Sequence, residues 1–155
     1  MFNIPLHKLT GFNLLELPLE GHVRTLIDSI DNQDGFKLAF LFLFHGKRNY
    51  SVLNFIKNEN FYSLFIHNYF PIISCPIITE NLFDRTKPMQ LVFKYQEVPE
   101  EIEKLVEPQF SCVSVDYLNS ELRKEDLVGF DDSVLERVHN FKPQTIGDVM
   151  FNYWD

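Results

Sequence analysis

Three apolar, phenylalanine-rich runs follow one another in the first half of the chain and constrain its fold more than any other feature. They cover residues 36–44, 50–56 and 61–67, and short polar segments separate them. Runs of this length joined by polar turns are typical of neighbouring strands, so the pattern favours an antiparallel meander. A pair of helices is the alternative, because the apolar residues of the second run also fit a helical period.

The core that these runs would build is aromatic. The chain has 155 residues, of which 16 are Phe and one is Trp. Phenylalanine buries a large area per residue, so aromatic packing should dominate the interior. A chain of this length has room for one domain with a sizeable core. We therefore predict a single α+β domain over residues 1–155, with an antiparallel sheet, packed helices and a Phe-rich core.

Helical signals lie on both sides of the runs. Residues 22–30 carry apolar side chains at helical spacing, and a polar turn follows them. Pro99 opens a second helix, since proline at the first helical position costs no hydrogen bond, and the next proline ends it. A third helix begins after Asp131 or Asp132, either of which can cap it, and extends to about residue 141.

Four other segments are predicted to be extended or irregular. Residues 12–19 form a candidate edge strand, and residues 68–88, which contain three prolines, form an irregular connection. Residues 89–95 are a further strand. Residues 110–118 form a strand by their period of two. Its core face would carry Val113, Val115 and Tyr117, and its solvent face Cys112, Ser114 and Asp116.

The C-terminal segment has the clearest local helix signal. Thr145 as N-cap and Asp148 three residues later approximate a capping box. Four apolar residues then form one stripe of the helix, namely Ile146, Val149, Met150 and Tyr153. Because so much of its circumference is apolar, this helix must dock. We favour docking into the chain's own core; the alternative is an assembly subunit that docks onto another chain through the helix with Trp154.

Residues 97–137 form an acidic block that holds the whole net charge of the chain. The block has twelve acidic and four basic residues, a difference of −8, and the remaining residues have ten of each. Nucleic-acid binding needs a basic surface, so this charge argues against nucleic acid as a partner. A concentrated negative field speeds association with a basic partner. The acidic block is therefore a candidate docking surface; a solvated face that keeps the protein soluble is the alternative.

The candidate contacts with a basic partner are carboxylates of the acidic block and one aromatic residue. They are Glu100, Glu103, Glu107, Asp116, Glu121, Glu125, Asp126, Asp131 and Phe130. Phe130 follows Gly129 in a predicted loop and is the candidate anchor, since a few aromatic residues carry much of an interface's binding energy. Packing of Phe130 into the core is the alternative. Tyr117 is a weaker candidate, because its predicted strand face points it inward.

Motifs that would identify an enzyme are not found in the sequence. It has no nucleophile elbow, Walker loop, dinucleotide fingerprint or paired cysteine motif, and no two of its five histidines have metal-ligand spacing. No metal or cofactor is predicted. An enzyme is nevertheless an alternative hypothesis: a small hydrolase or transferase that uses Cys112 with His67 or His139, or a pair of carboxylates of the acidic block.

Signals for export or membrane insertion are also missing. No apolar run has the length of a membrane span, and the N-terminal residues lack the pattern of a secretory signal. Cys75 and Cys112 lie in largely apolar surroundings and are predicted to be reduced thiols rather than a disulfide. These observations predict a cytoplasmic protein that does not associate with a membrane.

The last fifteen residues carry a family resemblance. Residues 141–155, with the sequence FKPQTIGDVMFNYWD, resemble C-terminal segments of bacterial toxin-immunity proteins, in particular those of contact-dependent growth inhibition systems. The resemblance implies a cytoplasmic, non-enzymatic protein that binds and neutralises a cognate toxin domain, usually a nuclease. It transfers no individual site residue. A nuclease must present a cationic groove to its substrate, so an acidic docking surface would suit it. A monomer or a weak homo-oligomer is expected.

Overall fold

The structure is a computed structural model that describes residues 4–10, 19–43, 48–77, 93–107 and 109–152. Its helices are α1 (Leu6–Leu9), α2 (Glu20–Asp31), α3 (Glu100–Val106), α4 (Val115–Leu118), α5 (Asp132–Phe141) and α6 (Ile146–Met150), with a 3-10 helix at Lys124–Leu127. Its strands are β1 (Phe36–Phe42), β2 (Tyr50–Lys57), β3 (Asn60–His67), β4 (Ile72–Pro76), β5 (Tyr95–Gln96) and β6 (Ser111–Cys112). The candidate edge strand at residues 12–19 lies outside the described residues except for its last position.

Within these described ranges, the six strands form one sheet in the order β1-β2-β3-β4-β5, with β6 also beside β4. Every neighbouring pair is antiparallel except β4 with β6, which is parallel. β6 pairs with the first two residues of β4, and β5 pairs with its last two. The predicted α+β class with a mainly antiparallel sheet is confirmed.

The meander of β1, β2 and β3 confirms the strand interpretation of the three apolar runs. β2 and β3 pair residue for residue over their whole length. The two residues between them, Asn58 and Glu59, both have positive φ, at 49° and 67°. A two-residue turn of this kind matches the twist of the strands on either side. The turn therefore fixes the register of the hairpin, which decides the face to which each side chain points.

The sheet is covered on both faces, which explains why its strands are apolar runs rather than alternating ones. On one face, α2 and α3 pack over a cluster that includes Leu53, Phe55 and Ile66. On the other face, α1, α4 and α6 pack over a cluster centred on Phe65. Among the described aromatic residues, four have ring centroids within 6.4 Å of that of Phe65: Tyr50, Phe93, Tyr95 and Phe151. The predicted Phe-rich core is confirmed.

Three predicted helices are confirmed, and their ends follow the predicted signals. α2 includes all of residues 22–30. α3 begins directly after Pro99, which occupies the N-cap position. α5 begins after Asp131, whose carboxylate accepts a hydrogen bond from the Val134 amide at 2.9 Å. This bond satisfies an amide that the first turn of a helix otherwise leaves without a partner.

Only the start of the predicted strand at residues 110–118 is extended. After the two residues of β6 the chain turns into α4, so the prediction of a strand through residue 118 is wrong. The Leu118 amide donates to the Ser114 carbonyl at 3.0 Å, and this turn buries Leu118 while it exposes Tyr117. Tyr117 thus points outward, opposite to its predicted direction. The turn into α4 buries Leu118, and this tertiary packing outweighed the strand preference that the alternating pattern indicated.

The predicted irregular connection at residues 68–88 contains a strand, and the prediction is wrong for that part. β4 has all five of its residues buried, and it pairs on one side with β3. Pro76 does not conflict with this, because it is the last residue of the strand. The predicted strand at residues 89–95 is confirmed only at Tyr95, the first residue of β5; residues 89–92 lie outside the described part of the chain.

The C-terminal helix packs into the core of its own chain. Thr145 and Asp148 form the predicted capping box: the Thr145 hydroxyl accepts from the Asp148 amide at 3.3 Å, and the Asp148 carboxylate accepts from the Thr145 amide at 3.1 Å. Asp148 is only 2% exposed and also accepts from the amides of Gln144 and Phe93. Within α6, Ile146, Val149 and Met150 are buried. Tyr153 and Trp154 lie outside the described residues.

Gly147 in α6 permits the close approach of this helix to the sheet, and we predict that Gly147→Ala lowers the free energy of unfolding by about 1–3 kcal/mol. A Cβ atom at this position would clash with the Tyr95 ring and would lie 2.9 Å from the Leu118 carbonyl oxygen. Urea denaturation measures the change.

Gly21→Ala in α2 is the matched control, since a Cβ there meets nothing within 4 Å. It should raise stability by up to about 1 kcal/mol. Equal effects of the two substitutions would contradict the packing of α6.

Candidate functional site

The candidate carboxylates of the acidic block lie at the surface, where a partner can reach them. Seven are exposed: Glu100, Glu103, Glu107, Asp116, Glu121, Glu125 and Asp131. Asp126 is partly buried. Most of these carboxylates are therefore not buried in ion pairs, and their charge is exposed to solvent.

The carboxylates of α3 are partly neutralised by lysines. Glu100 forms an ion pair with Lys104 at 2.8 Å, one helical turn away. Glu101 pairs with Lys57 of β2 at 2.6 Å, and this hydrogen bond holds the pKa of Glu101 below its usual value. Glu103 and Glu107 are near enough to Cys112 for their charges to act on its thiol. The α3 part of the acidic block thus carries less uncompensated charge than its composition indicates.

Cys112, the candidate nucleophile, is in surroundings that oppose ionisation of its thiol. Burial first, and then the charges of Glu103, Glu107 and Glu97, raise the pKa of Cys112 to about 12. A nucleophilic cysteine needs the opposite shift, which a neighbouring cation or helix N-terminus supplies. Cys75 also has its pKa raised to about 12 by burial, and both cysteines are free thiols, as predicted.

The two histidines considered as partners for Cys112 are engaged or placed elsewhere. His67 is buried, and its Nε2 donates to the Leu9 carbonyl at 2.7 Å. His139 is exposed on α5. Within the described residues, no group of three or more His, Cys, Asp and Glu side chains is arranged to hold a metal ion.

Phe130, the predicted anchor, is only 8% exposed and belongs to the core. It packs with Val134 of α5 and Val149 of α6, and its ring meets His7 edge-on at 6.5 Å. A side chain in this position presents little of its ring to the surface, so its burial favours the core interpretation of Phe130 over the anchor interpretation. Neighbouring Asp131 serves as the N-cap of α5, and hydrogen bonds from Ser133 and Val134 hold its pKa below the usual value.

Among the described residues of the acidic block, Tyr117 and Val128 are the large apolar side chains that are exposed. Tyr117 is 42% exposed and Val128 is 78% exposed. Partial burial, followed by the charge of Asp126, raises the pKa of Tyr117 above its ordinary value. An amphipathic ring beside a carboxylate is the kind of side chain that anchors protein interfaces. The structure therefore exchanges the expected exposures of the two rings, since Tyr117 points outward and Phe130 is buried.

A shallow cavity of about 170 Å³ opens beside Tyr117, between α4, the 3-10 helix and α6. Its lining consists of Tyr117, Ser120, Glu121, Arg123, Asp126 and Ile146. Backbone hydrogen bonds hold the walls together: the Ile146 amide donates to the Ser120 carbonyl at 3.0 Å, and the Leu122 amide donates to the Gln144 carbonyl at 2.8 Å. Two of the candidate carboxylates thus share one concave site with the exposed tyrosine.

A buried polar network, which sequence reasoning missed, ties the two ends of the described chain to the sheet. Asn49, immediately before β2, donates to the carbonyls of Leu9 at 2.9 Å and Met150 at 2.8 Å. Its side-chain oxygen accepts from the Asn152 amide at 2.7 Å. The Asn152 side chain donates in turn to the Thr10 carbonyl at 3.0 Å. Scattered polar residues give no local signal of such a network, because their partners are about 40 to 140 positions away.

His67 completes this network as a neutral imidazole. Its Nε2 donates to Leu9, and its Nδ1 accepts from the amides of Tyr69 at 3.1 Å and Phe70 at 3.3 Å. Burial lowers the pKa of His67 to about 4, although the bond to Leu9 opposes this shift. Both ring nitrogens are committed to backbone partners, so His67 is a structural residue in this conformation.

Comparison of the chain with protein-family models, with curated proteins and with solved structures gave no match. None of the helices in the described parts of the chain has the length and apolar character needed to cross a membrane. Any assignment of function therefore begins from the charge, the exposed side chains and the cavity described above.

Proposed function

We propose that this protein is a non-enzymatic inhibitor of the toxin-immunity type, which binds and neutralises a cognate basic toxin domain through its acidic block. The single observation that carries the proposal is the placement of charge. Residues 97–137 hold the entire net charge of −8, and the structure keeps seven of the eight candidate carboxylates exposed. The resemblance of residues 141–155 to immunity proteins supports the same proposal.

The part of the acidic block after α3 is the better docking surface. Lysines neutralise part of the charge on α3. By contrast, Asp116, Glu121 and Glu125 are exposed; each lines the cavity beside Tyr117 or is next in sequence to a residue that does. Charges at the rim of an interface mainly raise the association rate and set its salt dependence. Affinity comes from a few contacts that become buried on binding, for which the exposed side chains of Tyr117 and Val128 are the candidates.

Co-purification with the product of the neighbouring gene tests the proposal. In toxin-immunity systems the two partners are expected to be encoded together, so that product is the first candidate. The two proteins are co-expressed with an affinity tag on one of them and purified at low salt, where electrostatic attraction is least screened. The proposal expects a complex of defined stoichiometry by size-exclusion chromatography and loss of the partner's toxicity. If the neighbour is basic and toxic and yet no complex forms at low salt, the proposal is wrong.

A further inference from the structure

The cavity beside Tyr117 combines an aromatic wall, an apolar floor and a carboxylate for which the described residues provide no partner. Tyr117 forms one wall, and Ile146 of α6 lines the cavity from the core side. The Glu121 carboxylate makes no hydrogen bond or ion pair within the part of the chain that the structure describes. Asp126 is partly committed, because its carboxylate accepts from the Arg123 amide at 2.7 Å. One acceptor group is therefore open to a ligand, and a second has capacity left.

The volume of the cavity suits one side chain rather than a whole substrate. At about 170 Å³ it has room for roughly five to six water molecules. Pockets for small-molecule ligands occupy about 300–1,000 Å³. A single long side chain from a protein partner is the occupant that this size, together with the acidic surroundings, favours.

We propose that the cavity receives an arginine side chain of the partner, with the guanidinium stacked on the Tyr117 ring and hydrogen-bonded to the Glu121 carboxylate. This inference rests on the proposed function, because it supposes a basic protein partner. Arginine fits better than lysine, since its planar guanidinium both stacks on an aromatic face and pairs with a carboxylate through two donors. Arg123 also lines the cavity, and its like charge works against the incoming guanidinium.

A small probe tests the site without knowledge of the partner. Nα-acetyl-arginine methylamide is titrated into the full chain and followed by amide chemical shifts, with the citrulline analogue as the neutral, isosteric control. We expect a millimolar dissociation constant for the arginine probe, with shifts at Tyr117, Ser120, Glu121 and Asp126. The citrulline probe should bind at least about threefold more weakly, because it lacks the charge that the carboxylates attract.

Three substitutions and one control sharpen the test. Tyr117→Ala and Glu121→Gln should each weaken binding of the arginine probe about threefold or more, whereas Arg123→Gln should tighten it by removing a like charge. Glu59→Gln makes the same charge change as Glu121→Gln at an exposed position outside the acidic block, in the turn between β2 and β3, and should leave the dissociation constant within about twofold. All four positions are exposed, so the variants are expected to fold.

The outcomes separate this inference from the proposed function. Equal binding of both probes, or shifts spread over the whole acidic block, would overturn the arginine site. If the probe fails to bind but the complex with the neighbouring gene product forms, the arginine site is wrong and the proposed function stands. If the probe binds as expected and no complex forms with a basic, toxic neighbour, the cavity recognises arginine and the proposed function is wrong.

Discussion

Asn49→Ala is expected to lower the free energy of unfolding by roughly 3–5 kcal/mol, near the upper end for a single substitution. The Asn49 side chain is buried and bonds to Leu9 on one side and to Met150 and Asn152 on the other, so it joins two parts of the chain that are far apart in sequence. Alanine would leave the Met150 carbonyl and the Asn152 amide buried without their side-chain partner, whereas the Leu9 carbonyl would keep its bond from His67. Each such unsatisfied group costs about 1–3 kcal/mol.

Urea denaturation monitored by far-UV circular dichroism measures this change. Asn140→Ala is the matched control, because Asn140 is exposed on α5, and it should shift stability by no more than about 0.5 kcal/mol. A comparable effect of the two substitutions would show that Asn49 does not hold the chain ends against the sheet. Asn49→Asp should also lower stability, since it replaces both N–H donors of the Asn49 side chain with a buried carboxylate charge.

Acid is expected to destabilise the protein through His67. The folded protein keeps His67 neutral down to a pKa of about 4, whereas the unfolded chain takes up the proton near the ordinary value of 6.5. The contribution of His67 to stability is therefore constant above about pH 6.5, and it decreases as the pH falls from 6.5 toward 4. The whole interval corresponds to about 3 kcal/mol, at about 1.36 kcal/mol for each pH unit.

The free energy of unfolding should be measured between pH 7 and pH 5, above the range in which most carboxylates titrate. We expect a loss of about 2 kcal/mol over this interval in the native sequence. His67→Gln should remove most of that slope, whatever its effect on stability at pH 7. His22→Gln, at an exposed position of α2, is the control and should retain the slope. If His67→Gln leaves the slope unchanged, the group whose protonation destabilises the protein is not His67.

Features with local causes could be predicted from the sequence. The hairpin of β2 and β3 forms because two short apolar runs flank a turn, and Asp131 and Thr145 cap their helices through hydrogen bonds to residues three positions on. These interactions depend on neighbours in the chain, so a periodic pattern or a capping residue is enough to reveal them.

Features with distant causes could not be predicted. β4 is a strand because β3, β5 and β6 pair with it, and nothing within its own proline-flanked sequence indicates this. Phe130 and Tyr117 are both aromatic residues of the acidic block. The packing of α5 and α6 buries Phe130, whereas the turn of α4 exposes Tyr117. For the candidate site, the composition of the sequence was enough to locate the acidic block, whereas the cavity beside Tyr117 could be found only from the tertiary structure.

The kinetics of association with the neighbouring gene product test the central claim most directly. Two variants carry the same change in net charge. One neutralises Asp116, Glu121 and Glu125 of the acidic block with the corresponding amides. The control neutralises Asp28, Asp31 and Asp34, which are exposed outside the block. Association rates are measured by stopped flow or surface binding between about 0.01 M and about 1 M salt, where the Debye length shrinks from about 30 Å to about 3 Å.

If the acidic block docks a basic partner, the association rate of the native protein falls at least about tenfold over this range of salt. At low salt the block variant associates several-fold more slowly than the control variant, although both have the same net charge. Equal rates for the two variants, or a rate that does not depend on salt, would contradict the assignment of residues 97–137 as the docking surface.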